Sequence, residues 1–260
     1  MAGLIVPVDA FLREVVQVTA LLVPISAFFL SAPVFGNAMV PARVKVGMAL
    51  AVALAIRGTV APLSSSLDSA LDGLILEVAW QTVASLGLGL ATLTFFQIFV
   101  IAGQFVGMQM GLGFASMVDP GNGVQVTVWS QFYLMLATLC FLGVDGHLLT
   151  LEVLIQGLKL APTLAHIDGA EFFWRVISLG GWMFAGGASV ALPVVFALLV
   201  VNLAFGVMSR SAPQLNVFSL GFPFSLLFGL VLVWLSLRGW LAVFERERLT
   251  LAEHLQQLFS

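Results

Sequence analysis

VISLGGWMFAGGASVALPVVFALLVVNLAFGVM, residues Val176–Met208, contains no aspartate, glutamate, lysine or arginine. A helix crosses bilayer hydrocarbon with about 20 apolar residues, so this stretch exceeds what one simple span requires. It also holds Gly180-Gly181, Gly186-Gly187 and Pro193, which are expected to bend or break a helix by withdrawing side-chain packing or an N–H. Outward from it, further apolar runs cover Val15–Leu30, Val44–Ala61, Leu74–Ile101, Val124–Val144 and Val217–Leu237. Leu148–Ala161 carries Glu152 and Lys159 and is a weaker candidate, while Val15–Leu30 is short and contains Pro24. The pattern predicts an all-α membrane protein of about six long, kinked helices forming hairpins, some of them candidates for re-entrant segments.

Composition agrees. Of 260 residues, 60% are apolar and 9% charged, against roughly 25% charged in a soluble domain. Lys45 and Lys159 are the only lysines, and the net charge is −3. No basic stripe exists to neutralise phosphates, which excludes nucleic acid as a partner. Cys140 stands alone and forms no intrachain disulfide. Asp9 precedes the first apolar run and Glu14 offsets Arg13, so Val15–Leu30 reads as a retained membrane segment and not a removed signal. Without a linker of soluble-domain size, residues 1–260 form a single polytopic domain. Arg238, Arg246 and Arg248 place the tail, residues 238–260, in the cytoplasm. Their alternation with Glu245, Glu247 and Glu253 predicts a solvated amphipathic helix there. Regular spanning by every run would put Arg210 opposite that tail, a second sign that some helices are not ordinary spans.

The densest feature is GQFVGMQMGLGFASMVDPGNG, Gly103–Gly123. Gly103, Gly107 and Gly111 recur every four residues, which permits close helix approach. Met108, Met110 and Met117 add polarizable side chains beside Phe105 and Phe114. Asp119-Pro120-Gly121-Asn122-Gly123 is expected to end the helix in a turn. Physics alone favours a tightly packed helix followed by a loop. The functional reading is a deformable apolar seal that closes a conduit against ions and repacks around a passing chain. A phosphate loop is excluded, because no Gly-Lys-Ser/Thr follows and no strand precedes.

Other constellations are sparser. Asp145-Gly146-His147, with Glu152 beyond, suits a proton relay or, as the glycines favour, a helix-terminal turn at the interface. Metal binding would need a second histidine at helical spacing. Arg57 and Glu77, at the ends of apolar runs, either pair across helices or snorkel, and snorkelling is the simpler expectation. SAPVFGN at Ser31–Asn37 and SAPQLNVF at Ser211–Phe218 share a rhythm, which suits an inverted repeat and equally two unrelated proline turns. No nucleophile elbow or nucleophile–base pair exists, so no enzyme activity and no cofactor are expected.

Four segments assemble into a pattern. Gly103–Gly123 and NLAFGVMSRSAPQLNVFSLGFP at Asn202–Pro223, with APVFGNAMVPARVKVGMAL at Ala32–Leu50 and FLGVDGHLLTLEVL at Phe141–Leu154, resemble the FliR family of the flagellar type III protein export gate, in order along most of the chain. Related injectisome subunits share the architecture, and the two longest motifs look more like the flagellar branch. The resemblance implies a fold like a fused FliP-like and FliQ-like subunit, within a helical gate in the bacterial inner membrane at the flagellar basal body. Its implied partners are FliP-like and FliQ-like subunits, an FlhB-like subunit on the cytoplasmic side, unfolded export substrates in transit, and membrane lipid. Much of such an assembly lies above the bilayer plane, which would account for uneven apolar runs. The segment Gly107–Gly121 then corresponds to a pore plug, giving Phe105, Gly107, Met108, Met110, Gly111, Gly113, Phe114, Met117, Val118, Asp119 and Pro120 as closing residues. Subunit contacts are implied at Arg210, Pro213, Gln214, Asn216, Phe218, Gly221 and Pro223. The alternative is a proton-coupled secondary transporter of a small solute using Asp145, His147 or Glu77, which the scarcity of charge inside the runs disfavours.

Overall fold

The computed structural model describes residues 8–36, 40–60, 71–112, 127–164, 169–211 and 217–258. They form helices α1 (Val8–Ser31), α2 (Ala42–Ile56), α3 (Leu71–Gln109), α4 (Val128–Gly143), α5 (Gly146–Leu164), α6 (Gly169–Ser211), α7 (Val217–Ser236) and α8 (Trp240–Gln257), the last two joined by a 3-10 turn at Leu237–Gly239. No strand occurs among the described residues. The molecule is an all-α membrane protein. Among the described residues, four stretches are long and apolar enough to cross a bilayer: Phe11–Ser31, Gly73–Gln109, Gly169–Met208 and Gly221–Gln257. Helix α2 has 15 residues, about 22 Å, and falls short of the ~30 Å hydrocarbon core. The expected run Val124–Val144 corresponds to α4, which bends by 67° into α5. That pair is a broken span or a re-entrant segment.

The expected break within Val176–Met208 does not occur, since α6 continues for 43 residues. Its glycines serve packing. A Cβ on Gly186 would lie 3.1 Å from Ile98 Cδ1, and one on Gly187 would lie 2.7 Å from Ile101 Cγ2. Pro193 forgoes one backbone bond inside the helix. Large apolar side chains stay exposed at both ends of α6, from Trp174 (71%) and Ile177 (67%) to Leu203 (68%) and Val207 (61%). That span measures about 50 Å. Even at a 40° tilt it projects to nearly 40 Å, beyond the hydrocarbon core.

The chain forms two compact units. The first comprises residues 1–93, 145–178 and 251–260. There α1 packs Leu21, Ile25, Phe28 and Phe29 inward, and Phe35 meets Phe29 edge-on at 4.8 Å. Gly89 of α3 receives Ser31, leaving no room for a Cβ. Buried Lys45 of α2 donates Nζ to the Gly36 carbonyl at 2.9 Å, tying α2 to the turn after α1. Arg57 pairs with Glu14 at 3.5 Å instead of only snorkelling. Both groups are exposed, and such pairs contribute at most about 1 kcal/mol.

The second unit comprises residues 94–144 and 179–250. Phe95 is its hub, with Phe96 and Phe99 at 5.3 Å and Phe141 and Phe244 at 5.6 Å. Aromatic pairs of this kind add about 0.5–1.5 kcal/mol each beyond area burial. The expected amphipathic tail helix forms as α8, but one of its charges, Glu247, is buried instead of solvated. Along α8 the residues Trp240, Phe244 and Glu247 are buried, at the three-and-four spacing of a core stripe. Glu247 accepts from Trp182 Nε1 at 3.0 Å and pairs with Arg246 at 2.7 Å, so its charge is buried with partners.

Between α4 and α5 the glycine-flanked turn forms. Asp145 adopts φ 56°, the sole positive φ outside glycine among the described residues, and its carbonyl accepts from Leu148 at 2.9 Å. A left-handed conformation costs an L-residue about 1–2 kcal/mol, more for β-branched side chains. Asp145→Gly is therefore expected to keep or slightly raise the thermal midpoint of the detergent-purified protein, and Asp145→Val to lower it. Equal midpoints for the two variants would remove this role.

Candidate functional site

The glycine and methionine segment begins where α3 stops. The helix was expected to run on to the Asp119-Pro120 turn, but its last residue is Gln109. Gly111, at φ 85°, stops it. The Leu112 amide donates to the Gly107 carbonyl at 3.0 Å, and the Gly111 amide to the Met108 carbonyl at 3.0 Å. These are the paired 6→1 and 5→2 bonds of a Schellman cap, which needs a glycine-like φ at its centre. Gly111 is thus a terminator, whereas Gly103 and Gly107 are the packing glycines expected of the repeat.

Those two glycines seat the start of α4. A Cβ at Gly103 would collide with the backbone of Ser130, and one at Gly107 would lie 2.9 Å from Thr127 Cγ2. Thr127 is the N-cap of α4, its hydroxyl accepting from the Ser130 amide at 3.2 Å. Thr127 Oγ1 also donates to the Gly103 carbonyl at 3.2 Å, and Ser130 Oγ to the Val100 carbonyl at 2.9 Å. The chain therefore leaves at Leu112 and returns at Thr127 beside the same turn of α3.

Two more helices hold this foot. Asn202 of α6 donates Nδ2 to the Gln109 carbonyl at 3.2 Å, and Ser225 of α7 donates Oγ to Asn202 Oδ1 at 2.7 Å. One turn further along α7, Gly229 leaves a notch that the fully buried Met110 fills. Among the described side chains of α7, Gly221, Ser225, Gly229 and Val233 are the buried positions. This four-residue spacing of small side chains is the same close-packing signal as in α3.

The structure separates the expected closing residues. Met108 (60% exposed) and Phe105 (37%) lie three apart on an open strip of α3, while Met110 and Gly107 are enclosed by this chain's own helices. Gly113, Phe114, Met117, Val118, Asp119 and Pro120 lie outside the described residues. Among the expected subunit contacts, Arg210 and Pro223 are exposed and Gly221 is buried within the chain. Arg210 stands in the last turn of α6, where a cation suits the unpaired carbonyls. Pro213, Gln214 and Asn216 lie outside the described residues, as does the side chain of Phe218. Sequence reasoning missed Asn202 and Ser225. Their signal was a lone asparagine in an apolar run and a serine between two glycines at four-residue spacing.

These features define an integral membrane protein whose helices meet through small residues and interhelical hydrogen bonds. The family of bacterial export proteins, family 1, matches residues 15–250. Flagellar biosynthetic protein FliR of Pectobacterium carotovorum is 34% identical over 215 residues, covering 83% of this chain and 82% of that protein. FliR of Escherichia coli K12 is 33% identical over 216 residues, covering 82% and 80%, and FliR of Bacillus subtilis 168 is 32% identical over 203, covering 76% and 77%. The chain belongs to this family of bacterial export proteins, on its FliR branch.

The two glycine niches differ in what a methyl group would strike. At Gly103 it meets rigid backbone, and at Gly229 the end of the flexible Met110 side chain. Gly103→Ala is expected to destabilise by about 1–3 kcal/mol, and Gly229→Ala by less, with Met110→Ala partly rescuing it. Thermal denaturation in detergent reads the order, and a milder effect at Gly103 would contradict it.

Proposed function

We propose that this chain is the FliR-type subunit of a flagellar protein-export gate, a conduit component without catalysis or cofactor, in the bacterial inner membrane. The observation that carries the reading, beside family membership, is the exposed apolar surface of α6. It extends about 50 Å and is too long for lipid to cover. FliP-like and FliQ-like subunits are the partners proposed to cover it, with an FlhB-like subunit on the cytoplasmic side and unfolded flagellar proteins as cargo. Arg210, Pro213, Gln214, Asn216, Phe218 and Pro223 are proposed to lie at subunit contacts, and Gly221 to support them from within.

Closure is assigned to the segment that leaves α3. Phe105 and Met108 form the open strip at its root, and Gly113, Phe114, Met117, Val118, Asp119 and Pro120 supply the seal. Met110 and Gly107 act as anchors. An apolar, sulfur- and ring-lined closure excludes hydrated ions because it offers them no replacement ligands. Methionine side chains can then repack around a passing chain. The transporter alternative has little to stand on. Asp145 serves a turn, and the Glu77 carboxylate accepts from Gln81 on its own helix at 3.3 Å.

Co-expression with the neighbouring export genes should yield one large assembly holding this chain and several copies of smaller membrane proteins. Mass measurement of a lone monomer or homodimer would defeat the proposal. In assembled gates, deletion of residues 113–121 should raise resting ion conductance strongly, and Met108→Ala should raise it modestly. Unchanged conductance on deletion would dismiss the seal.

A further inference from the structure

Helix α7 carries no charged residue over its 20 residues, a length of about 30 Å that matches the hydrocarbon core. Arg238, two residues past its end, therefore stands at headgroup depth. Its guanidinium lies 5.8 Å from the centre of the exposed Trp234 ring, within cation–π reach. Among the described residues no carboxylate pairs with it. The same indole lines a groove of about 580 Å³ between α4 and α7. Trp129 and Phe132 form one wall and Leu230, Trp234 and Leu237 the other, with Val233, only 2% exposed, at the base. Every side chain lining the groove is aliphatic or aromatic.

We infer that this groove and Arg238 together bind one anionic phospholipid, with an acyl chain in the groove and the phosphate at the guanidinium. Trp234 joins the two subsites, since it walls the first and supports the cation of the second. The groove follows α7 from Leu230 to Leu237, about 10 Å. Arg238 is the next residue, so the tail and head sites adjoin. A whole partner helix, about 10 Å across, would displace roughly 800 Å³ over that length, more than the groove holds. An acyl chain is thin enough to sink in. A polypeptide seated there would also have to bring a carboxylate to Arg238 at membrane depth, which is costly. A phospholipid carries its anion at that level already. Guanidinium meets phosphate through two parallel N–H donors, and stacking on the indole holds that fork in place. Both subsites come from this chain alone.

The test uses the full chain purified in mild detergent. Phosphatidylglycerol or phosphatidylcholine of equal chain length is added, and bound lipid is counted by native mass spectrometry. Phosphatidylglycerol should bind about fivefold more tightly, the worth of one basic residue against an anionic lipid. Glycerol phosphate without chains should not displace it; displacement would leave a phosphate site only and overturn the inference. Arg238→Gln should erase the preference between the lipids, and Arg238→Lys should keep most of it. Leu230→Trp should fill the groove and weaken both lipids alike. Equal binding of the two lipids by the parent, an unchanged preference in Arg238→Gln, or unchanged affinity in Leu230→Trp overturns the inference. Both positions are exposed, so the fold tolerates these changes. Should a variant still fail to fold, the parent chain decides. Phosphatidylglycerol with a photoreactive acyl chain should label residues 128–132 and 230–237, and label spread evenly over the exposed apolar helices overturns the site. In native membranes a photoreactive residue at position 231 should capture lipid, and capture of a polypeptide there overturns it equally.

Discussion

A helix that ends away from water must find donors for its last carbonyls inside the protein. At the end of α3 that requirement recruits nearly every nearby feature. Gly111 turns the chain so that its own amides serve two carbonyls. Asn202 reaches across from α6 to serve a third. Thr127 and Ser130 at the start of α4 donate to carbonyls of Gly103 and Val100 from the other side. Asn202 lies where a helix-terminal carbonyl needs a donor, while Thr127 and Ser130 donate to carbonyls inside α3 and dock the start of α4 there.

Satisfying the backbone in this way demands close approach, and close approach demands small residues. Gly103 and Gly107 admit α4, Gly186 and Gly187 admit α3, and Gly229 admits Met110. Bulky residues fill the space further along, in the ring cluster around Phe95. Of the apolar stretches, Gly73–Gln109 is the most buried, and the others keep much of their apolar surface outside. Hydrophobic surface of this extent, on a helix longer than a bilayer is thick, is what a subunit made for a larger assembly would carry.

The end of α3 is held on two sides, by the start of α4 and by Asn202 of α6. Packing at Gly103 and Gly107 sets Leu112 and Thr127 beside the same part of α3. Rotamer-rich methionine, rather than leucine or phenylalanine, occupies the one notch at this turn.

Much of this was legible in one dimension. The charge-free run Val176–Met208 and the scarcity of ionic residues determined a helical membrane protein, because no soluble surface could be made from them. The four-residue glycine spacing marked where helices would touch, and the long motifs around Gly107 and Arg210 marked the family. Local pattern misjudged continuity. Glycine pairs that weaken an isolated helix are harmless at Gly186 and Gly187, where Ile98 and Ile101 occupy the vacated space. Glu247 looked solvated because alternating charges are visible in sequence, whereas Trp182, which donates to it, is distant in the chain. Only the tertiary structure could separate exposed Met108 from buried Met110, two residues apart at the end of α3. It alone could bring Gln109, Asn202 and Ser225 together. Periodicity reports which residues share a face, but which face meets a neighbour depends on helices far apart in the chain.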